Sequence, residues 1–178
     1  MRSKSMGVAL AGLLLAAALI LSYVEASLPF FFGVPGMKLG LPNLAVVLLL
    51  YLPPDRTAGG ARAALTVNVL RILIAGFLFG SLFGILFSAA GALASLLVMN
   101  AVKRTGHFGI MGVSISGGLS HNLAQLLVAC LLAGLPGMGY YAPALIIAGT
   151  VTGAFIGVAA GAVLPYMNRL FGNGRNET

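Results

Sequence analysis

Residues 112–130 read GVSISGGLSHNLAQLLVAC. The run is apolar enough to cross a membrane as a helix, yet halfway along it places His121, Asn122 and Gln125. Intervals of three and four residues put Ser114, Gly118, His121 and Gln125 on roughly one helical face. Hydrocarbon offers hydrogen-bonding groups no partner at that depth, so they must find partners inside the protein. The expectation is that the other helices surround this face and that it helps to form a ligand cavity.

The rest of the chain fits that setting. Of its 178 residues, 60% are hydrophobic and 7% charged, whereas a soluble domain carries about 25% charged residues. Most of this chain therefore avoids water. Its length suits one helical bundle, so the expected fold is all-α: a polytopic membrane protein forming a single integral membrane domain over residues 1–178. The net charge of +7 rests on basic residues standing singly or in pairs at the ends of apolar runs. That is a topology signal. No basic stripe with interleaved aromatics is present, which excludes nucleic acid as a partner. Cys130 is the only cysteine; it builds neither a disulfide framework nor a metal cluster and reads as a small buried hydrophobe.

Six apolar segments follow from hydropathy, at about 7–23, 39–52, 62–79, 82–102, 112–135 and 142–167. The second is short for a span needing about 20 residues. Either it begins deeper or the preceding FFFGVPGMKLGLPN dips into the bilayer as a non-helical loop, which is tolerated only against protein or a cavity. With six spans, Arg2, Lys4, Arg56, Arg62, Lys103, Arg104, Arg169 and Arg175 all fall on one side. That side is cytoplasmic by the positive-inside rule, with both termini inside a cell membrane. Arg2 and Lys4, an apolar run and Val24-Glu25-Ala26 also resemble a secretory signal; the run is long for one, and an uncleaved first span is the preferred reading.

Gly149, Gly153, Gly157 and Gly161 recur every fourth residue, as do Gly76, Gly80 and Gly84. Such ridges serve close helix packing inside the bundle or docking onto another membrane protein. The first span adds Ala9, Gly12, Ala16 and Ala17, open to the same two readings.

Three places carry polar chemistry. Arg71 sits near the middle of the third span with Asn68 one turn away. A charge there costs about 2.5–3.5 kcal/mol on insertion scales, so it faces a cavity or a partner. Its fork of donors suits a carboxylate or phosphate; the competing reading pairs it with Glu25 or with helix-end carbonyls. His121, Asn122 and Gln125, within one and a half turns, read as site-lining. Lys38 and Asn43 lie in PGMKLGLPN, where Lys38 either snorkels to the interface or attracts an anion. Glu25 reads as an interfacial carboxylate, and Tyr140 and Tyr141 as an aromatic belt.

Absences also decide. The acids are Glu25, Asp55 and Glu177, widely separated, so paired carboxylates for acid–base work or metal chelation are missing. No GxxxxGK[ST] exists for ATP. We expect no catalytic residues, no metal and no cofactor.

GMKLGLPNL (36–44), RILIAGFLFGSLFGILFS (71–88), GALASLLVMNAVKR (91–104) and GVSISGGLSHNLAQ (112–125) resemble the heptaprenyl diphosphate synthase component I family, also called the Gx transporter family. That family is in turn similar to the substrate-binding S components of energy-coupling-factor (ECF) vitamin transporters, six-helix membrane proteins with cytoplasmic termini. The S-component resemblance implies capture of a small molecule from outside and docking onto a transmembrane coupling subunit with two ATPases. Small residues of the first helix would dock, which points to Gly12 and Ala16. The synthase name implies instead an accessory role beside a prenyl synthase catalytic subunit, because elongation needs Asp-rich clusters that three isolated acids do not form. We read a substrate-binding membrane component of an ECF-type uptake transporter, with the accessory synthase subunit as the alternative. The ligand is small and polar or anionic. Its cavity opens outward, lined by Lys38, Asn43, Asn68, Arg71, His121, Asn122 and Gln125 and closed by the loop after the first span, and membrane lipid surrounds the whole.

Overall fold

The structure, a computed structural model, describes residues 2–27, 38–53, 59–79, 81–133 and 136–172. Its helices are α1 (Arg2–Ser27), α2 (Asn43–Tyr51), α3 (Ala61–Phe79), α4 (Leu82–Thr105), α5 (Ile110–Ala133) and, after a 3-10 turn at Pro136–Tyr141, α6 (Ala142–Gly172). No strand occurs among the described residues. A helix closes its backbone hydrogen bonds within one segment, which lipid demands. Boundary chemistry follows the sequence: the Ser81 hydroxyl accepts the Gly84 N–H at 3.1 Å at the start of α4. Gly106, with φ of 72°, ends that helix in the left-handed region.

Five of the helices, all but α2, are long and apolar enough to cross a membrane. The chain is an all-helical membrane protein. The expected second span is corrected: α2 has nine residues, about 14 Å at 1.5 Å per residue, less than half of a hydrocarbon core of about 30 Å. Its ends explain why. Gly40 takes φ of 87° and Pro42 precedes the first helical residue; at the other end Leu52 is extended, as the residue before Pro53 prefers. The FFFGVPG part of the suspected dipping loop lies outside the described residues.

Helix α2 is the centre of the bundle. Asn43 and Ala45 through Leu50 are buried, and the helix touches α1, α3, α4, α5 and α6. The long helices follow one another around it in the order α1, α3, α4, α5, α6. Its two ends are held by opposite charges. Lys103 donates to the Leu50 carbonyl near the C-terminal end, its ammonium 4.7 Å from the centre of the Tyr51 ring. Glu25 accepts from Gly40 and Leu41 just before the N-terminal end. An acid at the start and a base at the finish match the helix dipole.

The glycine period belongs to the seam between α5 and α6. A β-carbon on Gly118 would lie 2.2 Å from the Gly149 carbonyl oxygen, and one on Gly153 would lie 2.7 Å from the Ile115 α-carbon. Ser114 donates to the Gly153 carbonyl at 2.7 Å. This is internal packing of backbones that only glycine permits. It also corrects the cavity expected along α5: the face at Ser114 and Gly118 is filled by α6, and only its later turns meet other polar groups.

Candidate functional site: a buried polar cluster at the entry to α2

Four elements bring polar side chains to the start of α2. On α1, Ser22 and Glu25 are three residues apart, and both are buried. On α3, Asn68 and Arg71 repeat that spacing. The Asn68 side-chain oxygen accepts from Arg71 Nε at 3.2 Å and from Nη2 at 3.1 Å. Arg71 Nη1 donates to Ser22 Oγ at 3.3 Å, and Asn68 Nδ2 to the Ala92 carbonyl of α4 at 3.3 Å. Arg71 is 4% exposed, yet its hydrogen bonds among the described residues all end on neutral acceptors.

On α5, Gln125 links His121 to the chain leading into α2. Its oxygen accepts the Lys38 backbone N–H at 2.9 Å, and its Nε2 lies 3.0 Å from His121 Nε2. An amide nitrogen only donates, so His121 Nε2 accepts and the neutral ring carries its proton on Nδ1. Glycines on two sides make room for the imidazole. A β-carbon on Gly91 would sit 2.8 Å from Nδ1, and one on Gly40 would sit 3.1 Å from Cδ2. Glu25 Oε1 takes the Gly40 N–H in a short hydrogen bond and the Leu41 N–H at 3.2 Å.

The charges do not balance. Glu25 supplies one negative charge; Lys38 and Arg71 supply two positive ones. Lys38 lies before α2, outside the spanning helices. Burial pushes its ammonium below the ordinary 10.5, Glu25 opposes that shift, and Arg71 adds to it. Excess buried charge is costly unless something matches it. Polar atoms are also left over among the described residues: Asn43 Nδ2 at the entry to α2, and Ser95 Oγ beside Gly117 of α5, are buried without a hydrogen-bond partner, while His121 Nδ1 faces the Gly91 backbone. Folded proteins rarely tolerate such atoms, and a bound group is one explanation.

Lys38, Asn43, Asn68, Arg71, His121 and Gln125 are thus brought to one place. Asn122 is turned to α6, where its Nδ2 donates to the Leu145 carbonyl at 3.0 Å. Gly12 and Ala16 lie exposed on the outer face of α1, and nothing stands within 4 Å of a β-carbon on Gly12. The closing loop expected after the first span, residues 28–37, lies outside the described residues. Glu25 corrects the sequence reading: it is 6% exposed and part of the cluster rather than an interfacial carboxylate. Its spacing from Ser22 was the available signal. Gly40 and Gly91 gave none, because glycine abounds in this chain. No group of three or more metal-ligating residues occurs among the described residues.

These features define a class: a polytopic helical membrane protein whose interior holds a net-positive polar cluster. The family described as heptaprenyl diphosphate synthase component I matches residues 14–163, and the chain belongs to that family. This is the family to which the four quoted motifs pointed. No curated protein and no solved structure matches the chain.

Proposed function

We propose that this chain is the membrane-embedded accessory component of a heptaprenyl diphosphate synthase, and that its polar cluster binds the anionic group of a small molecule. The partner assignment rests on the family; the anion rests on Arg71. A guanidinium buried among neutral acceptors, with a second cation near enough to feel it and one acid shared by both, is matched best by oxygens of a carboxylate or phosphate. A prenyl diphosphate suits both the cations and the bilayer, since it joins anionic oxygens to an apolar tail. Elongation itself belongs to a partner with Asp-rich metal sites, which this chain's three acids do not form. The whole chain acts as one integral domain with both termini cytoplasmic.

A second reading, the substrate-binding component of an ECF-type uptake transporter, is favoured by where the cluster lies. It is at the end of α2 remote from Lys103, hence toward the side that the basic residues assign to the exterior. Gly12 and Ala16 would then meet a transmembrane coupling subunit with ATPases. Gentle extraction of the tagged full-length chain from its native membrane, with identification of co-purifying proteins, separates the two. A soluble Asp-rich prenyl synthase supports the accessory role. A pair of ATPases with a large membrane subunit overturns it in favour of uptake, and recovery of neither removes both partner assignments.

A further inference from the structure

We infer that the Glu25 carboxylate is a tethered stand-in for the ligand: it fills an amide seat at the entry to α2, and an incoming carboxylate or phosphate oxygen takes its place. This inference rests on the reading that the cluster takes an anion, and it names the atoms that receive it.

The amides of residues 40–45 can be accounted for one by one. Asn43, Leu44 and Ala45 donate to the carbonyls of Gly40, Leu41 and Pro42 at 2.9, 3.2 and 3.1 Å. Pro42 has no N–H. Gly40 and Leu41 remain, and both converge on one oxygen of Glu25. Two amides converging on one carboxylate oxygen at the positive end of a helix form an anion seat.

A second observation marks the seat as made for more than Glu25. Asn43, 4% exposed, directs Nδ2 to a point 3.1 Å from where a Gly40 β-carbon would stand. That donor stands beside Gly40, whose amide forms half of the seat, and has no partner among the described residues. A tethered glutamate has not satisfied it; a free anion with several oxygens reaches the amides and the Asn43 donor together. Nor do the acid and the arginine bind one another. Arg71 is held by Asn68 and Ser22, and Glu25 by backbone, so displacing Glu25 breaks no Arg71 contact. Ser22, one turn before Glu25 on α1, gives the exchange a mechanical link to Arg71.

The test uses the full-length chain in nanodiscs, with sodium formate and sodium phosphate as probes against chloride at equal ionic strength, read by thermal unfolding. Glu25→Ala is expected to unfold earlier in chloride and to recover saturably with one of the two anions. Its apparent affinity should be at least tenfold tighter than that of the unaltered protein, which must first expel its own carboxylate. Whichever anion recovers it better assigns carboxylate or phosphate. Adding Asn43→Ala should weaken the recovery about tenfold. Glu25→Gln, whose amide oxygen still accepts from both N–H groups but without charge and so is more easily displaced, gives the same comparison with a smaller gain if the alanine variant does not fold. Equal affinities with and without the Glu25 charge overturn the stand-in, as does a recovery indifferent to Asn43, which would make Glu25 a plain counter-ion. Anion binding that is lost in Arg71→Gln but unmoved in Glu25→Gln leaves the anion reading intact and overturns only the stand-in. No saturable response in any of these proteins overturns both.

Discussion

Between α5 and α6 the backbones approach until a single methyl group would not fit, whereas a turn further along α5 His121 and Gln125 stand among buried polar atoms, some without partners among the described residues. The change comes within four residues on one helix. In the seam every polar side chain has a local answer: Ser114 on Gly153, Asn122 on Leu145. Around the entry to α2, polar groups outnumber their partners and the charges do not cancel. The seam is held by close packing and weak polar contacts; it is architecture. The cluster is a less stable arrangement than an apolar interior would be, and such an arrangement makes sense where something binds.

The two halves of this comparison break differently. Gly118→Leu drives a side chain into the Gly149 carbonyl and should destabilise the chain by about 3 kcal/mol, the upper part of the range for overpacking. Thermal unfolding in nanodiscs checks it, and an unchanged midpoint would show that the seam is not close-packed. Arg71→Gln should do the reverse, keeping or raising the midpoint while anion affinity falls about tenfold to a hundredfold. That fall corresponds to about 1.5–3 kcal/mol for hydrogen bonds to a charged group.

Lys38 sharpens the comparison through pH. Its folded value lies below 10.5, so between that lowered value and 10.5 the unfolded chain binds more protons and stability from this group rises with pH. Anion affinity should move the other way, falling over the same alkaline window as the charge is lost. A titration with Lys38→Met should lack both trends; their persistence would assign them to another group. The smallest effect is expected from Asn122→Ala, which strands the Leu145 carbonyl and should cost about 1 kcal/mol with no change in anion affinity. A binding defect there would move Asn122 from the seam into the cluster.

Much of this could be read from the sequence because lipid is a strict solvent. Apolar run length locates the five long helices to within about five residues at each end, and Arg71, His121 and Gln125 announce themselves as polar groups where hydrocarbon forbids them. What escaped reading depends on direction rather than depth. The run at 39–52 looks like a span until Gly40, Pro42 and Pro53 are weighed as its true limits. His121 and Asn122 are neighbours about 100° apart on one helix, and the sequence cannot say that one meets Gly91 while the other meets Leu145. Glu25, two residues before the end of α1 and interfacial in sequence terms, turns inward where the entry to α2 presents it with amides.

Equilibrium binding of formate and of phosphate to the full-length chain and to Arg71→Gln, in matched nanodiscs, tests the central claim most directly. The account predicts saturable binding of one anion to the unaltered chain, and at least tenfold weaker binding once the guanidinium is gone. Equal affinities for the two proteins, or no saturable binding to the unaltered chain, would contradict it.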